Sequence, residues 1–139
     1  MGAMSEHFSN QELACKHCGR NECTVALVSA LESFRTILQQ PILINDAYRC
    51  PEHNQAVGGV PDSQHVLGNA ADIRVEGMPA AKLEQMALSS GLWGGIGRDD
   101  RRNYVHVDVR MKQIGKPVAR WCYDADGKTV AWYASESFV

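Results

Sequence analysis

With 139 residues, 45% of them hydrophobic and 22% charged, the chain has room for one globular domain and is too apolar for wholesale disorder. Fourteen Lys and Arg against sixteen Asp and Glu give a formal charge of -2, which excludes a broad basic face for nucleic acid. No apolar run approaches the roughly 20 residues of a membrane span, and no charged segment followed by an apolar one marks a signal peptide at the N-terminus. Met1-Gly2-Ala3-Met4 reads as a tag-removal scar ahead of a native Met4, so a single domain is expected over 5–139 with 1–3 outside it.

Ser9 and Asn10 cap a short helical turn, Gln11 to Ala14. From Thr24 to Gln40, Leu27, Leu31, Phe34 and Leu38 recur every three or four residues, one stripe of an amphipathic helix that Pro41 ends. Ile42-Leu43-Ile44 is an apolar run expected to be a buried strand. A long loop follows, Tyr48 to Asp62, with room for one helical turn; loops of that length in compact domains tend to be functional. Ala70 to Val75 reads as a strand, and Pro79 and Gly91 bracket a helix with Leu83, Met86 and Ala87 on one face. Trp93 to Gly97 leads into a charged loop, Arg98 to Asn103, read as solvated or as a rim for substrate. Tyr104 to Arg110 alternates strictly: Val105, Val107 and Val109 face one way, Tyr104, His106, Asp108 and Arg110 the other. Val118 to Tyr123 and Lys128 to Tyr133 flank Asp124-Ala125-Asp126-Gly127 as a hairpin. This order predicts an α+β domain: a small, largely antiparallel sheet with helices packed on one side. Trp93, Trp121 and Trp132 are expected in the core ahead of a cleft wall.

Cys15, Cys18, Cys23 and Cys50 admit three readings: a structural zinc knot, since C-x2-C spacing suits tetrahedral sulfur ligation; one or two disulfides in an oxidising compartment; or reduced thiols packed under a loop. His7 and His17 read as solvent-exposed, with His17 near enough in sequence to join a cysteine cluster.

The segment from Ser63 to Asp72 is the most informative. His65 and Asp72 lie seven residues apart across a glycine-containing turn, an arrangement that a metal site explains because imidazole nitrogen and carboxylate oxygen are both good zinc ligands. His106, in mid-strand opposite the valines, is the best third ligand. Three protein ligands with the fourth position open to water is the arrangement of a catalytic zinc. Spacing alone leaves blander roles open: hydrogen-bonded histidines, a strand-end cap for Asp72 and a left-handed turn residue for Gly68.

Ser63-x-His65-x-x-Gly68-x-Ala70-x-Asp72 resembles the signature of the M15 zinc D-Ala-D-Ala carboxypeptidases and related peptidoglycan endopeptidases, which group with VanX-type dipeptidases and the hedgehog zinc fold. Val105-His106-Val107-Asp108 resembles that family's second metal segment, and the stretch from Tyr48 to Gly59, with Arg49, His53, Asn54, Val57, Gly58 and Gly59, resembles its upstream block. The similarity covers roughly Phe8 to Trp121 and is nearest the small single-domain forms of phage lysis or tail modules. It implies a hedgehog/DD-peptidase-like fold, one catalytic Zn2+ held by His65, Asp72 and His106, and substrate binding by Arg49 and Ser63, with Arg49 also serving the transition state. It further implies a monomer acting on peptidoglycan peptides at the cell wall, reached by phage delivery or another export route. Where relatives carry a histidine two places, or an acid three places, before the last ligand, this chain has Tyr104 and Asn103. Asp108, on the strand face of His106, is then the expected general base ahead of a supporting role as hydrogen-bond acceptor, and Tyr104 an oxyanion donor. His53 and Asn54 are expected to brace the loop. The alternative to a peptidase is a zinc-containing binding or structural module that does not hydrolyse.

Overall fold

In the computed structural model, residues 2–111, 118–123 and 129–132 are described, the last four as backbone. Helix α1 (Asn10–Leu13) starts at a capping box in which Ser9 Oγ accepts from Glu12 N–H and Glu12 accepts from Ser9 N–H. Helix α2 (Val25–Leu38) is capped by Thr24, whose hydroxyl accepts from Leu27 N–H, and ends at Gln39 in the left-handed conformation, two residues before Pro41. Strand β1 (Leu43–Asp46) is followed by α3 (Pro51–Ala56), which occupies the middle of the expected long loop. Then come β2 (Ala70–Arg74), α4 (Ala80–Ser90), β3 (Gly95–Asp99), β4 (Tyr104–Asp108), β5 (Ala119–Tyr123) and β6 (Thr129–Trp132). Gly91 ends α4 in the left-handed region, as its position after the last turn predicts.

The six strands form one sheet in the order β1-β2-β4-β3-β5-β6. Four pairings are antiparallel and one, β3 with β5, is parallel, so the sheet is mixed and largely antiparallel. The paired strands β5 and β6 fit the expected hairpin; its turn and Tyr133 lie outside the described residues. Leu27, Leu31 and Phe34 of α2 and Leu83 and Ala87 of α4 share one core with Ala71, Ile73, Ile96, Val105 and Val107 of the sheet. Phe34 meets Trp93 edge-on at 5.8 Å between ring centroids. Burying side chains of this size contributes about 1.5–3 kcal/mol each, which fixes which face of β2, β3 and β4 turns toward the helices. The opposite face is left for polar groups.

Two expectations change. Ile42 is buried, but β1 itself is half-buried rather than buried and, among the described residues, pairs only with β2 at the edge of the sheet. Arg98 and Asp99 belong to β3 rather than to a charged loop, and Asp99 is fully buried, accepting from the backbone N–H and the guanidinium of Arg102 at 2.8 Å each. Gly2 N–H and Ala3 N–H donate to Asn21 O and Cys23 O.

The β3 strand hides in the sequence because two of the three residues on its polar side, Gly95 and Gly97, are glycines. A Cβ on Gly97 would collide with the indole of Trp121, and one on Gly95 would come within 2.5 Å of the Asp108 carboxylate. Glycine disfavours strands in isolation, and here the neighbouring side chains fill the space its own would have taken.

Candidate active site

Strand register brings the first two candidate ligands together. Asp72 of β2 lies directly across from His106 of β4, so both project from the polar face. His65 arrives from the turn before β2, and its ring is fixed at the back by Ala47, whose carbonyl accepts from His65 Nδ1–H at 2.7 Å. That carbonyl can only accept, so in the neutral ring Nε2 carries the lone pair, and Nε2 faces Asp72 Oδ1 at 3.2 Å. His106 is turned the other way. Its Nε2 is held by Asp108 Oδ2 at 2.7 Å, and its Nδ1 faces the same Asp72 Oδ1 at 3.2 Å. His65 Nε2, His106 Nδ1 and Asp72 Oδ1 therefore converge.

The donor set fits a zinc ion. The ligand atoms of His65, Asp72 and His106 all lie within 4.8 Å of one another. Zinc bound to nitrogen and oxygen at about 2.0–2.1 Å in a tetrahedron separates its ligand atoms by about 3.3 Å, close to the two 3.2 Å separations seen here. With that ring neutral, His65 Nε2 and Asp72 Oδ1 are two electron-rich atoms face to face, a contact that a cation between them, a metal ion or a proton, makes favourable. Burial by itself would lower the pKa of His106, but hydrogen bonds and charge from Asp108 and Asp72 raise it to about 9. A proton on Nδ1 fills the same gap a metal would. Burial also opposes ionisation of Asp72, yet His65 and His106 hold its carboxyl well below the usual range.

Asp108 is fully buried. Besides His106 it accepts a two-pronged pair from Arg110, with Nε to Oδ1 and Nη2 to Oδ2 both at 2.8 Å, and the backbone N–H of Arg110 at 3.1 Å. These partners outweigh the burial that would raise its pKa and keep it ionised. Its oxygens are thus spent on holding His106 and Arg110.

A cleft of about 890 Å³ opens over the three converging atoms. Arg49 stands on one side, its Nε and Nη2 donating to Asp46 Oδ2 at 3.1 and 2.9 Å and its Nη1 to Asn54 Oδ1 at 2.9 Å. Asn54, buried, closes the brace by donating to Val60 O at 2.7 Å. Ser63 lines the cleft and accepts from His65 N–H at 3.2 Å. Tyr104 also lines it; burial, reinforced by Asp72 and Asp99, raises its pKa and keeps the phenol protonated as a donor. Asn103 points elsewhere: its side chain accepts from Ala80 N–H at 2.8 Å, at the start of α4. His53 lies outside the cleft lining, its ring stacked on His17.

Sequence reasoning missed part of the cleft. Trp121 and Tyr123 of β5 line it, so Trp121 forms a cleft wall rather than core, beside His106 at 5.2 Å between rings and with the Arg110 guanidinium 5.1 Å from its own ring. Trp93 is core as expected, and the Trp132 side chain lies outside the described residues. The signals were available: Trp121 and Tyr123 share a face at period two, and Asp46 sits three residues before Arg49.

The family model described as Peptidase M15 matches residues 6–108. The chain is 30% identical to the peptidoglycan L,D-endopeptidase MepK of Escherichia coli (strain K12) and, equally, to that of Shigella flexneri. The match covers 51% of this chain and 41% of each relative, so it spans less than half the length of those proteins.

Proposed function

The chain belongs to the Peptidase M15 family, and on that premise we propose that it is a zinc-dependent peptidase cutting peptide bonds in the stem peptides or cross-links of bacterial peptidoglycan. The observation that carries this reading is the convergence of His65 Nε2, Asp72 Oδ1 and His106 Nδ1 beneath an open cleft. A zinc ion held by His65, Asp72 and His106 would supply Lewis acidity for the scissile carbonyl and for water. The chain's residues do the rest. Ala47 and Asp108 fix the tautomer and tilt of the two histidines, the support that ligating imidazoles need. Arg49, locked by Asp46 and Asn54, presents its guanidinium to a substrate carboxylate or to the developing oxyanion without reorganising. Tyr104 keeps its proton and donates to the same oxygen. Ser63 belongs to the wall that receives the peptide.

The bonds already made by Asp108 favour an orienting role over that of general base. With Asn103 turned to α4, the same facts favour a second reading, a zinc-holding module that binds cell-wall peptide without cutting it. The two readings separate on purified sacculi. Zinc-loaded protein is expected to release muropeptides detectable by mass spectrometry, with a monomer sufficing; binding without release would leave the non-hydrolytic module standing. Lysis or remodelling of the wall from a phage-delivered or otherwise exported protein is the setting this activity fits.

No helix among the described residues is long and apolar enough to cross a membrane.

A further inference from the structure

A second cluster of metal-ligating side chains lies outside the cleft. Cys15, Cys18 and Cys50 place their sulfurs within 4.8 Å of one another, although Cys50 is 35 residues from Cys15 in sequence. None of the five cysteines forms a disulfide. Cys23, which the sequence grouped with these three, sits apart in the core with its thiol donating to Leu13 O at 3.7 Å. Its place beside the cluster is taken by His17, whose Nδ1 lies 3.4 Å from Cys50 Sγ.

We infer that Cys15, Cys18 and Cys50 hold a structural zinc ion, with His17 Nδ1, which stands 3.4 Å from Cys50 Sγ but outside the set of atoms within 4.8 Å of one another, turning in as the fourth donor. Three thiolates and one imidazole form a closed tetrahedral set of the kind structural zinc uses. With zinc–sulfur bonds of about 2.3 Å and a zinc–nitrogen bond of about 2.0 Å, the sulfur–nitrogen edge of that tetrahedron is about 3.6 Å, close to the observed 3.4 Å.

The surroundings suit ligating sulfur. Backbone N–H groups of His17 and Cys50 point at Cys15 Sγ, and that of His53 at Cys50 Sγ, each at 3.4 Å. Such donors favour the thiolate form that a metal requires. The Cys15–Cys18 loop is closed by Gly19 N–H to Cys15 O at 2.8 Å and Cys15 N–H to Arg20 O at 2.7 Å. Cys15 and Cys50 are buried whereas Cys18 is exposed, which leaves an entry path for the ion.

The position also gives the ion something to hold. Cys50 follows Arg49, and Arg49 N–H donates to His65 O at 3.2 Å. Tyr48 N–H donates to Leu13 O, and Ala47 O orients His65. Metal at the cysteines fastens the α1 loop to the segment that aims both Arg49 and His65.

The test counts zinc in the purified full chain. The His65→Ala/His106→Ala variant, stripped of the cleft donors, is expected to retain about one zinc per chain, and adding Cys18→Ser is expected to remove it. Cobalt loaded into the His65→Ala/His106→Ala variant is expected to show a sulfur-to-metal charge-transfer band, with the visible bands of tetrahedral cobalt shifting on His17→Ala. A mercurial titration of the protein with unmodified cysteines guards against misfolding of the serine variant, since zinc release should track thiol modification. A folded His65→Ala/His106→Ala variant without zinc, or zinc undiminished by Cys18→Ser, overturns the site. Release of zinc independent of thiol modification does the same. An unchanged cobalt spectrum in His17→Ala overturns the fourth donor.

Discussion

The two donor clusters of this chain are built on opposite plans. His65, Asp72 and His106 stand on or beside adjacent strands of the sheet, two of them opposed in strand register, under a cleft of about 890 Å³. Cys15, Cys18 and Cys50 come from loops and the edge of a short helix. Nitrogen and oxygen donors with room above them suit an ion that must exchange ligands; sulfur donors completed by an imidazole suit one that stays. The contrast teaches that one sheet carries donors open to a cleft on its polar face while a separate set of donors joins loops distant in sequence.

Several substitutions break or sharpen that contrast. The largest effect is expected from His106→Ala, which should cost peptidase turnover at least ~10³-fold, as loss of Lewis-acid stabilisation worth several kcal/mol implies. Metal analysis of the same variant should show one zinc lost and the cysteine-held one kept; loss of both would erase the distinction between the clusters. Arg49→Ala is expected to lower turnover at least ~100-fold, the scale of removing an oxyanion donor, while zinc content stays unchanged. Near-wild-type kcat in that variant would remove Arg49 from the transition state.

Asp108→Asn should weaken zinc binding at the cleft about 10–100-fold, the range for losing the partner of a ligating histidine. A competition assay with a chelator reads this directly. If Asp108 were instead the proton acceptor, kcat would collapse with zinc affinity intact.

The smallest expected effect lies far from the cleft, at Glu32 of α2. Its carboxylate accepts from Ser5 Oγ and His7 N–H and faces the His7 ring, anchoring the segment that leads to α1 and the cysteines. Burial works against ionisation there, but these partners prevail and lower the pKa from 4.5 to about 2. A depressed carboxyl stabilises the fold above its unfolded pKa, and that contribution disappears as pH falls through the folded one. Glu32→Gln should therefore cost about 1 kcal/mol near neutrality, with the gap to the parent closing between about pH 4.5 and 2. Denaturant melts across that window check it; a gap that persists at the acid end would mean the charge contributes nothing.

Much of this architecture could be read from residue order. The stripe Leu27, Leu31, Phe34 and Leu38 marked α2, and strict alternation from Tyr104 onward marked β4 and the side on which His106 would emerge. Strand β3 escaped because Gly95 and Gly97 carry no β-forming side chain, and their reason lies in neighbours distant along the chain. Metal candidates were legible since His65 and Asp72 are close in sequence and His106 sits at a fixed phase of a strand. The bonds that occupy Asp108 were not, because Arg110 lies two residues on and only strand geometry folds its guanidinium back. Cys23 misled for a related reason: spacing groups it with Cys18, whereas burial sends it into the core.

The parallel pairing of β3 with β5 decides which stretch of the chain walls the cleft. The family model ends at Asp108, yet Arg110, Trp121 and Tyr123 beyond it build one bank of the cleft. The three converging side chains and this bank of the cleft thus come from separate stretches of the chain. Replacing Trp121 or Tyr123 would reshape the bank while leaving His65, Asp72 and His106 untouched.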